Sequence, residues 1–287
     1  MKIAIMTDTN SGMSVNEGKE NGIFVIPMPV IVNDKEYMEG EDITHAELYR
    51  ELISGSDVKT SLPSPAHVMD MWDELLEDHD SVVYIPMSSA LSSSVSVSRQ
   101  FAEEYDGKVQ VVDNHRISVT LKDSVFDAKK MADEGMDAVA IKEKLEEEAF
   151  NQSIYITVNT LSHLVKSGRV TAAGAMIATA INIKPVLTIQ GEKLDAFAKV
   201  RGMKSAETKM IESLKNDLLT RFKDYPKENL RLHTAGTLQT EEEAEAWLTK
   251  VKDAFPGYEV DYDPLSCSIA CHVSVDTKGI GVSVIKK

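Results

Sequence analysis

Three apolar segments of this chain each end in a polar loop and are then followed by a helical pattern. The segments are KIAIMTD (2–8), SVVYIPM (81–87) and VQVVD (109–113). A strand that is apolar along its whole length is buried on both faces, and strands that alternate with helices form a parallel sheet covered by those helices. The pattern therefore limits the first half of the chain to a parallel α/β architecture. The run FVIPMPVIV (24–32) predicts a further strand of this kind.

The pattern changes after residue 150. The segment KPVLTIQGEKLDAFAKV (184–200) predicts two strands joined by a glycine-containing turn, which is an antiparallel hairpin. Other elements expected here are a strand at 154–158, a long amphipathic helix at 203–223, a strand near 230–235, a helix capped by Thr240, and two terminal strands. This half is therefore expected to be α+β with a largely antiparallel sheet.

These two patterns divide the chain into two expected domains. The α/β domain covers 1–150 and carries the polar loops, and the α+β domain covers 151–287. A length of 287 residues suits two domains of about 150 residues each. No low-complexity linker separates them, so we expect the two domains to pack closely.

Charge and cysteine content exclude several classes of function. The chain has 31 basic and 46 acidic residues, a net charge of −15, which argues against nucleic acid and anionic lipid surfaces as partners. Cys267 and Cys271 are the only cysteines, so no disulfide framework is expected and a reducing compartment fits. The start lacks the pattern of a signal peptide, and the apolar stretch 171–183 is too short to cross a bilayer. We expect a cytoplasmic protein without an integral membrane segment.

Polar loops follow the parallel strands at the edge where open sheets bind ligands. These loops are TDTNS (7–11), SSALSSS (88–94) and DNHRIS (113–118). The serine-rich loop also opens a helix, whose first N–H groups favour an anionic group. The chain contains no P-loop, no GxGxxG and no GxSxG sequence, so neither a nucleotide nor an activated serine nucleophile is indicated.

The first of two hydroxyl clusters lies in KTSLPSPAH (59–67), between two helical patterns, and the serine-rich loop is the second. Ser64 is expected to cap a helix that has Pro65 at its first position. Thr60 and Ser61 have two interpretations. They are either turn residues whose hydroxyls cap backbone groups, or one of two hydroxyl sets that converge on one ligand.

Seven segments, in order along the whole chain, resemble the motifs of the DegV family of bacterial fatty-acid-binding proteins. The family motifs are TDST, TSQPSP, LSGTY, VIDS, LxKGGRI, KxRxxKKA and HxGPGxxG. The corresponding segments are TDTNS (7–11), KTSLPSP (59–65), ALSSS (90–94), VVDNHRIS (111–118), LVKSGRV (164–170), AKVRGMKSA (198–206) and CHVSVDTKGIG (271–281).

The resemblance implies a carrier that is not itself an enzyme and needs no cofactor or metal. Family members bury one long acyl chain, hold its carboxyl group with hydroxyls, and present it to a separate ATP-dependent fatty-acid kinase subunit, which makes acyl phosphate for phospholipid synthesis. By motif, Thr60 and Ser92 would hold the carboxyl, with Ser61 and Ser93 adjacent. The motifs that line the mouth or the kinase-facing surface contain three further candidates, Arg169, Arg201 and His272.

Several positions depart from the family pattern. Ser93 and Ser167 replace glycines, Leu62 replaces a glutamine, Asn114 replaces a serine, and the segment after His272 lacks Gly-Pro-Gly. These departures favour a first alternative, a carrier for another amphipathic ligand. A second alternative is an acyl transferase or esterase that uses Ser92 as nucleophile and His272 as base. Its orienting acid and oxyanion hole are not visible in the sequence.

Three other features are interpreted as structural. Cys267 and Cys271, four residues apart on an expected helix, resemble a metal-binding pair, but no other ligand spacing accompanies them, so buried packing is the preferred interpretation. Asp8 and Asp113 at strand ends are expected to fix the loops that follow. His115 is expected to be structural or to lie at the rim of the site.

Overall fold

The computed structural model describes residues 2–176 and 183–284, which fold into two compact units. The first unit comprises Met1–His45, Asp57–Phe150 and Ser266–Ser268. The second unit comprises Ala46–Ser56, Asn151–Leu265 and Ile269–Lys287. The chain therefore passes between the units five times, at residues 45/46, 56/57, 150/151, 265/266 and 268/269.

The elements up to residue 150 include both strands and helices. The strands are β1 (Ile3–Asp8), β2 (Phe24–Ile26), β3 (Pro29–Val32), β4 (Lys35–Met38), β5 (Val58–Thr60), β6 (Ser81–Ile85) and β7 (Val109–Val111). The helices are α1 (Val15–Glu20), α2 (His45–Ser54), α3 (Pro65–Asp78), α4 (Ser94–Ala102), α5 (Val119–Asp133) and α6 (Ala138–Glu147).

The first unit contains the predicted parallel sheet. Its strand order is β2-β1-β6-β7, and all three pairings are parallel. One hydrophobic core joins this sheet to α3 and α4 and includes Trp72, Tyr84 and Val95. A second, antiparallel sheet has the order β4-β3-β5. The α/β class of this half is therefore confirmed.

The expected single strand at 24–32 is wrong in one respect, because the segment forms two strands in two different sheets. β2 ends at Ile26 and pairs with β1, whereas β3 begins at Pro29 and pairs with β4 and β5. Pro27 and Pro29 lack the N–H group that a central ladder requires, so the run breaks between them. The two prolines let one apolar segment supply both sheets.

The elements after residue 150 form the second unit together with α2, except that the start of one helix lies in the first unit. The strands are β8 (Gln152–Thr157), β9 (Ile183–Ile189), β10 (Asp195–Arg201), β11 (Leu230–Gly236), β12 (Val260–Pro264) and β13 (Lys278–Val284). The helices are α7 (Ser162–Ser167), α8 (Ala172–Ala175), α9 (Met203–Leu219), α10 (Glu241–Ala254) and α11 (Cys267–Val273).

One six-stranded sheet in the order β10-β9-β8-β13-β11-β12 organises the second unit. Its pairings are antiparallel except for β11 with β12, which confirms the largely antiparallel α+β prediction. The predicted hairpin is β9–β10, and the Thr240 Oγ1 accepts a hydrogen bond from Glu243 N at 3.2 Å at the start of α10, as expected for a cap. Much of the apolar stretch 171–183 lies outside the described residues. In the part of the chain that is described, no helix has the length and apolar character needed to cross a bilayer.

Candidate functional site

The three polar loops of the first unit are joined to one another at the carboxyl edge of the parallel sheet. The Asp8 carboxylate, at the end of β1, accepts hydrogen bonds from Asn10 N at 2.9 Å and from Met87 N at 3.0 Å. Ser118 N donates to Asn10 O at 2.7 Å, which brings in the third loop. The edge is therefore a hydrogen-bonded platform, and the expectation that Asp8 fixes the loop after it is confirmed.

Burial perturbs the Asp8 carboxyl group. Its side chain is fully enclosed, and loss of hydration raises its pKa from 3.8 to about 6. The two backbone N–H groups act in the opposite direction because they stabilise the ionised form. Desolvation is the larger effect, so this carboxyl titrates nearer to neutrality than an exposed aspartate does.

The first hydroxyl cluster lies where β5 ends and α3 begins. Thr60 is the last residue of β5 and lies opposite Val30 of β3, and Ser61 N donates to Pro29 O at 3.4 Å. Both residues are partly exposed. Ser64 Oγ accepts from His67 N at 3.2 Å, so the predicted cap of α3 is confirmed. The segment therefore leaves the antiparallel sheet and enters a helix within four residues.

The second hydroxyl cluster forms the start of α4. Ser92 Oγ accepts from Ser94 N at 3.2 Å and shares a hydrogen bond with Ser94 Oγ at 3.0 Å. Ser93 is exposed and makes no side-chain capping bond. Its φ of −82° and ψ of 2° are open to any residue, so serine is accommodated at this family glycine position without backbone strain. Ser92 and Ser93 therefore begin a helix with hydroxyls around its first turn.

A narrow pocket between α3 and α4 has a cavity volume of about 10 Å³, which is room for about one water molecule. Both hydroxyl clusters run directly into its walls, because Leu62 follows Ser61 and lines it, and Ser94 follows Ser93 and lines it. Most of its lining is apolar. The apolar side chains include Pro63, Val68, Met69, Trp72, Val97 and Phe101. One apolar pocket is thus lined by residues that follow each hydroxyl cluster in sequence, whereas Thr60, Ser61, Ser92 and Ser93 are not among its lining residues.

The wall of this pocket also contains a few polar groups. Ser94 and Ser98 are buried and belong to its wall. Trp72 is fully buried, and its Nε1 has no hydrogen-bond partner among the described residues. Burial raises the pKa of Tyr84, another lining residue, well above its usual value, so its hydroxyl stays protonated.

Arg169 and His272 are neighbours within the second unit. Arg169 follows α7. Burial of the His272 imidazole is the main cause that lowers its pKa, and the positive charge of Arg169 and the proximity of His163 act in the same direction, so that the pKa is about 4 instead of 6.5. His272 is therefore a neutral imidazole near pH 7.

Arg201 lies apart from Arg169 in the same unit. The backbone of Arg169 is bonded to Leu194, one residue before β10 begins, whereas Arg201 is the last residue of β10. A seven-residue strand spans roughly 20 Å from its first to its last residue. The structure therefore brings Arg169 and His272 together and places Arg201 at the far end of β10.

Sequence reasoning missed Glu39, a buried carboxylate at the end of β4 in the first unit. Its Oε1 accepts from Cys267 N at 2.6 Å, and its Oε2 accepts from Thr9 Oγ1 at 2.8 Å and from Ser268 N at 3.4 Å. Desolvation raises its pKa from 4.5 to about 7. Glu39 stands in the acidic run MEGED, which is typical of an exposed turn, and its partners at Cys267 and Ser268 give no local signal.

The remaining residues interpreted as structural lie as follows. Cys267 and Cys271 are buried in α11 and form no disulfide, which agrees with the packing interpretation. Asp113 Oδ1 accepts from Ser89 N at 3.3 Å and so holds the serine-rich loop. His115 has a φ of 54° and stacks on Phe150 with 5.1 Å between ring centroids. The stacking gives His115 a packing role.

Comparison with known proteins identifies relatives over the full length of this fold. A DegV domain-containing protein of Deinococcus radiodurans is 31% identical over 216 residues, which are 75% of this chain and 77% of the relative. A DegV family protein of Thermus thermophilus, whose structure is described as fatty acid binding, superposes with a TM-score of 0.88 at 27% identity and covers 99% of this chain and 100% of its own.

A third comparison gives the same result. A structure described as a fatty acid binding DegV family protein, from Streptococcus agalactiae, has a TM-score of 0.86 at 25% identity, with 100% of both chains covered. The family model of DegV matches residues 2–286. From its first strand to its last, this chain is a member of the DegV family.

Proposed function

We propose that this protein binds one long-chain fatty acid, whose tail widens the narrow pocket between α3 and α4 as it enters and whose carboxyl group lies at the two hydroxyl clusters. The observation that carries the proposal is the continuity of both clusters with the wall of that pocket. The structures from T. thermophilus and S. agalactiae, described as fatty acid binding, support it.

The tail supplies most of the binding energy in this proposal. Each buried methylene contributes about 0.8 kcal/mol, so a chain of ~15 methylenes contributes about 12 kcal/mol before the costs of ordering it. Leu62, where the family pattern has a glutamine, adds apolar surface to the pocket wall. Met69 lies on the same wall and has the unbranched side chain that adapts most readily to a flexible ligand.

The carboxylate needs hydrogen-bond donors because it loses hydration on entry. Thr60, Ser61, Ser92 and Ser93 are assigned to supply them. The first N–H groups of α4 add donors and a partial positive charge. Such local donors allow a carboxylate to bind although the whole chain carries a net charge of −15, since distant charges are screened over about 10 Å.

The carboxyl assignment is tested with the variant Thr60→Val combined with Ser92→Ala. Both hydroxyls are lost with little change in side-chain volume. Fatty acid uptake, measured by mass spectrometry of lipid extracted from denatured protein, is expected to fall at least roughly tenfold because a desolvated carboxylate would lack two donors. Ser96→Ala is the matched control, since this exposed serine lies on the same helix and bonds only to Ser93 O in the described structure. Unchanged uptake in the double variant would refute the assignment.

The position of the tail is tested with Val97→Trp, which fills the pocket from its partly exposed wall. Acyl binding is expected to be lost while the fold is retained. Val139→Trp, at an exposed position of α6, is the control for the bulk of the new side chain. Equal fatty acid content in the two variants would place the tail elsewhere.

The finer steps of the proposal concern the second unit and a partner protein. By motif, Arg169, Arg201 and His272 are assigned to the ligand or to the surface that a separate ATP-dependent fatty-acid kinase recognises. A neutral His272 can donate and accept a hydrogen bond, which suits a carboxyl or phosphoryl group. The assay is acyl phosphate formation by such a kinase with this protein as carrier, compared between the wild type and Arg201→Gln.

The two buried cysteines, Cys267 and Cys271, form no disulfide, which supports a reducing, cytoplasmic location.

A second candidate ligand is an amphiphile whose tail bears a polar group. Trp72 Nε1, which has no partner in the described part of the chain, favours it, because a plain alkyl tail would leave this N–H group unbonded. Mass spectrometry of the extracted ligand separates the two candidates, since a hydroxylated or oxidised chain differs in mass from a plain fatty acid. A serine-dependent esterase is tested separately with activated acyl esters and Ser92→Ala.

A further inference from the structure

Three side chains with metal-binding groups meet in the first unit. They are Glu39 at the end of β4, His45 at the start of α2 and Cys267 at the start of α11. One ligand atom from each residue lies within 4.8 Å of the other two. Glu39 and Cys267 are buried, and His45 is partly exposed. None of the three lines the pocket between α3 and α4.

These distances are close to those of a tetrahedral metal centre. Zinc bonds of about 2.3 Å to sulfur and 2.0–2.2 Å to nitrogen and oxygen put neighbouring ligand atoms about 3.3–3.6 Å apart. The observed upper limit of 4.8 Å exceeds this by little more than 1 Å. Small side-chain rotations would therefore bring all three atoms to one ion.

The carboxylate of Glu39 is already held in place by other groups. Cys267 N, Ser268 N and Thr9 Oγ1 donate to it at 2.6, 3.4 and 2.8 Å. A carboxylate has about four acceptor positions, so these bonds are compatible with one metal bond as well. Second-shell hydrogen bonds of this kind orient metal ligands and strengthen them. Glu39 thus has the support that a metal-binding carboxylate requires.

We propose that Glu39, His45 and Cys267 bind one divalent transition-metal ion of the zinc class. A thiolate, an imidazole and a carboxylate form a borderline donor set that selects zinc or cobalt over magnesium and calcium. The cation bonds to the Cys267 thiolate, and the thiol proton leaves to solvent. Three protein ligands leave a fourth position, and the partial exposure of His45 gives the ion a route from solvent.

The test uses cobalt(II) titrated into the metal-free full-length chain, because a cobalt–thiolate bond gives a charge-transfer absorption that other ligands do not. We expect one equivalent of cobalt to produce this absorption. Cys267→Ser is expected to abolish it, and Cys271→Ser is the matched control, since Cys271 is the other buried thiol of α11. His45→Gln is expected to weaken cobalt affinity at least roughly tenfold, as loss of even an outer-shell partner does.

The wild-type chain alone can overturn the proposal, so the result does not depend on any variant folding. A folded wild type that binds cobalt without thiolate absorption, or binds none, contradicts it. Absorption that survives Cys267→Ser or disappears in Cys271→Ser also contradicts it. The Thr60→Val and Ser92→Ala double variant is expected to bind cobalt as the wild type does, which separates this site from the fatty acid site.

Discussion

Asp8→Asn should change the pH dependence of stability in a defined direction. The Asp8 carboxyl has a pKa of about 6 in the folded protein and 3.8 as its reference value. Because the pKa of Asp8 is higher in the folded state, the folded state keeps the proton up to a higher pH than the unfolded state does. The contribution of Asp8 to stability is therefore largest below pH 3.8 and is lost as the pH rises through 6. Asparagine has no such titration.

The magnitude follows from these two values. Between about pH 5 and about pH 8, the free energy of unfolding of the wild type falls by about 1.4 kcal/mol because of the Asp8 pKa shift, at ~1.4 kcal/mol per pKa unit. Asparagine also has one acceptor oxygen instead of two, so one of the N–H groups of Asn10 and Met87 loses its partner, which costs about 1–3 kcal/mol at both pH values. The variant should thus be less stable than the wild type near pH 5, and the gap should narrow by about 1.4 kcal/mol near pH 8.

The two tryptophans allow this measurement on the first unit alone. Trp72 lies in the first unit and Trp247 in the second, and the chain has no others. Urea unfolding followed by Trp72 fluorescence, in a Trp247→Phe background for both proteins, gives the free energy at each pH. The quantity compared is the difference in unfolding free energy between the wild type and Asp8→Asn. If this difference is the same at both pH values, or is larger at the higher pH, burial does not control the titration of Asp8.

Three further outcomes are expected. Arg169→Gln should raise the pKa of His272 above its value of about 4, because it removes a nearby positive charge, and a nuclear magnetic resonance titration of the imidazole proton would show it; no movement would contradict the proximity of the two groups. Gly236→Ala should destabilise the second unit by about 1–3 kcal/mol, since the new Cβ would lie 2.6 Å from Thr277 O, and thermal unfolding would measure this. Thr240→Ala should cost about 1 kcal/mol in the same assay by removing the cap of α10, whereas an unchanged melting temperature would show the cap to be unimportant.

The parts of the fold and site that follow from local chemistry could be predicted from the sequence. Strand-loop-helix order fixes a parallel sheet, so the loops after β1 and β6 had to meet at one edge, and Asp8 holds the loop that follows it as expected. The caps at Ser64 and Thr240 depend on neighbours three residues away and were equally predictable. These features need no knowledge of distant contacts.

Features that depend on distant residues could not be predicted. Glu39 bonds to Cys267 N across 228 positions of sequence, and no spacing rule connects them. The sequence favours packing over metal binding for Cys267, because no ligand spacing accompanies it, whereas its neighbours in the structure are the distant residues Glu39 and His45. The break between β2 and β3 had a signal in Pro27, but the run of apolar residues around it was the stronger pattern.

The division of the chain into two units determines when the first unit can be completed during synthesis. Ser266–Ser268 belong to the first unit, although residue 150 ends the rest of it. The backbone N–H groups that bond to Glu39 therefore leave the ribosome 118 residues later (268 minus 150), which takes roughly ten seconds at ordinary translation rates. Until then the Glu39 carboxylate of the nascent first unit lacks two of its hydrogen-bond donors, Cys267 N and Ser268 N. The first unit is thus completed only after Asn151–Leu265 of the second unit have been synthesised.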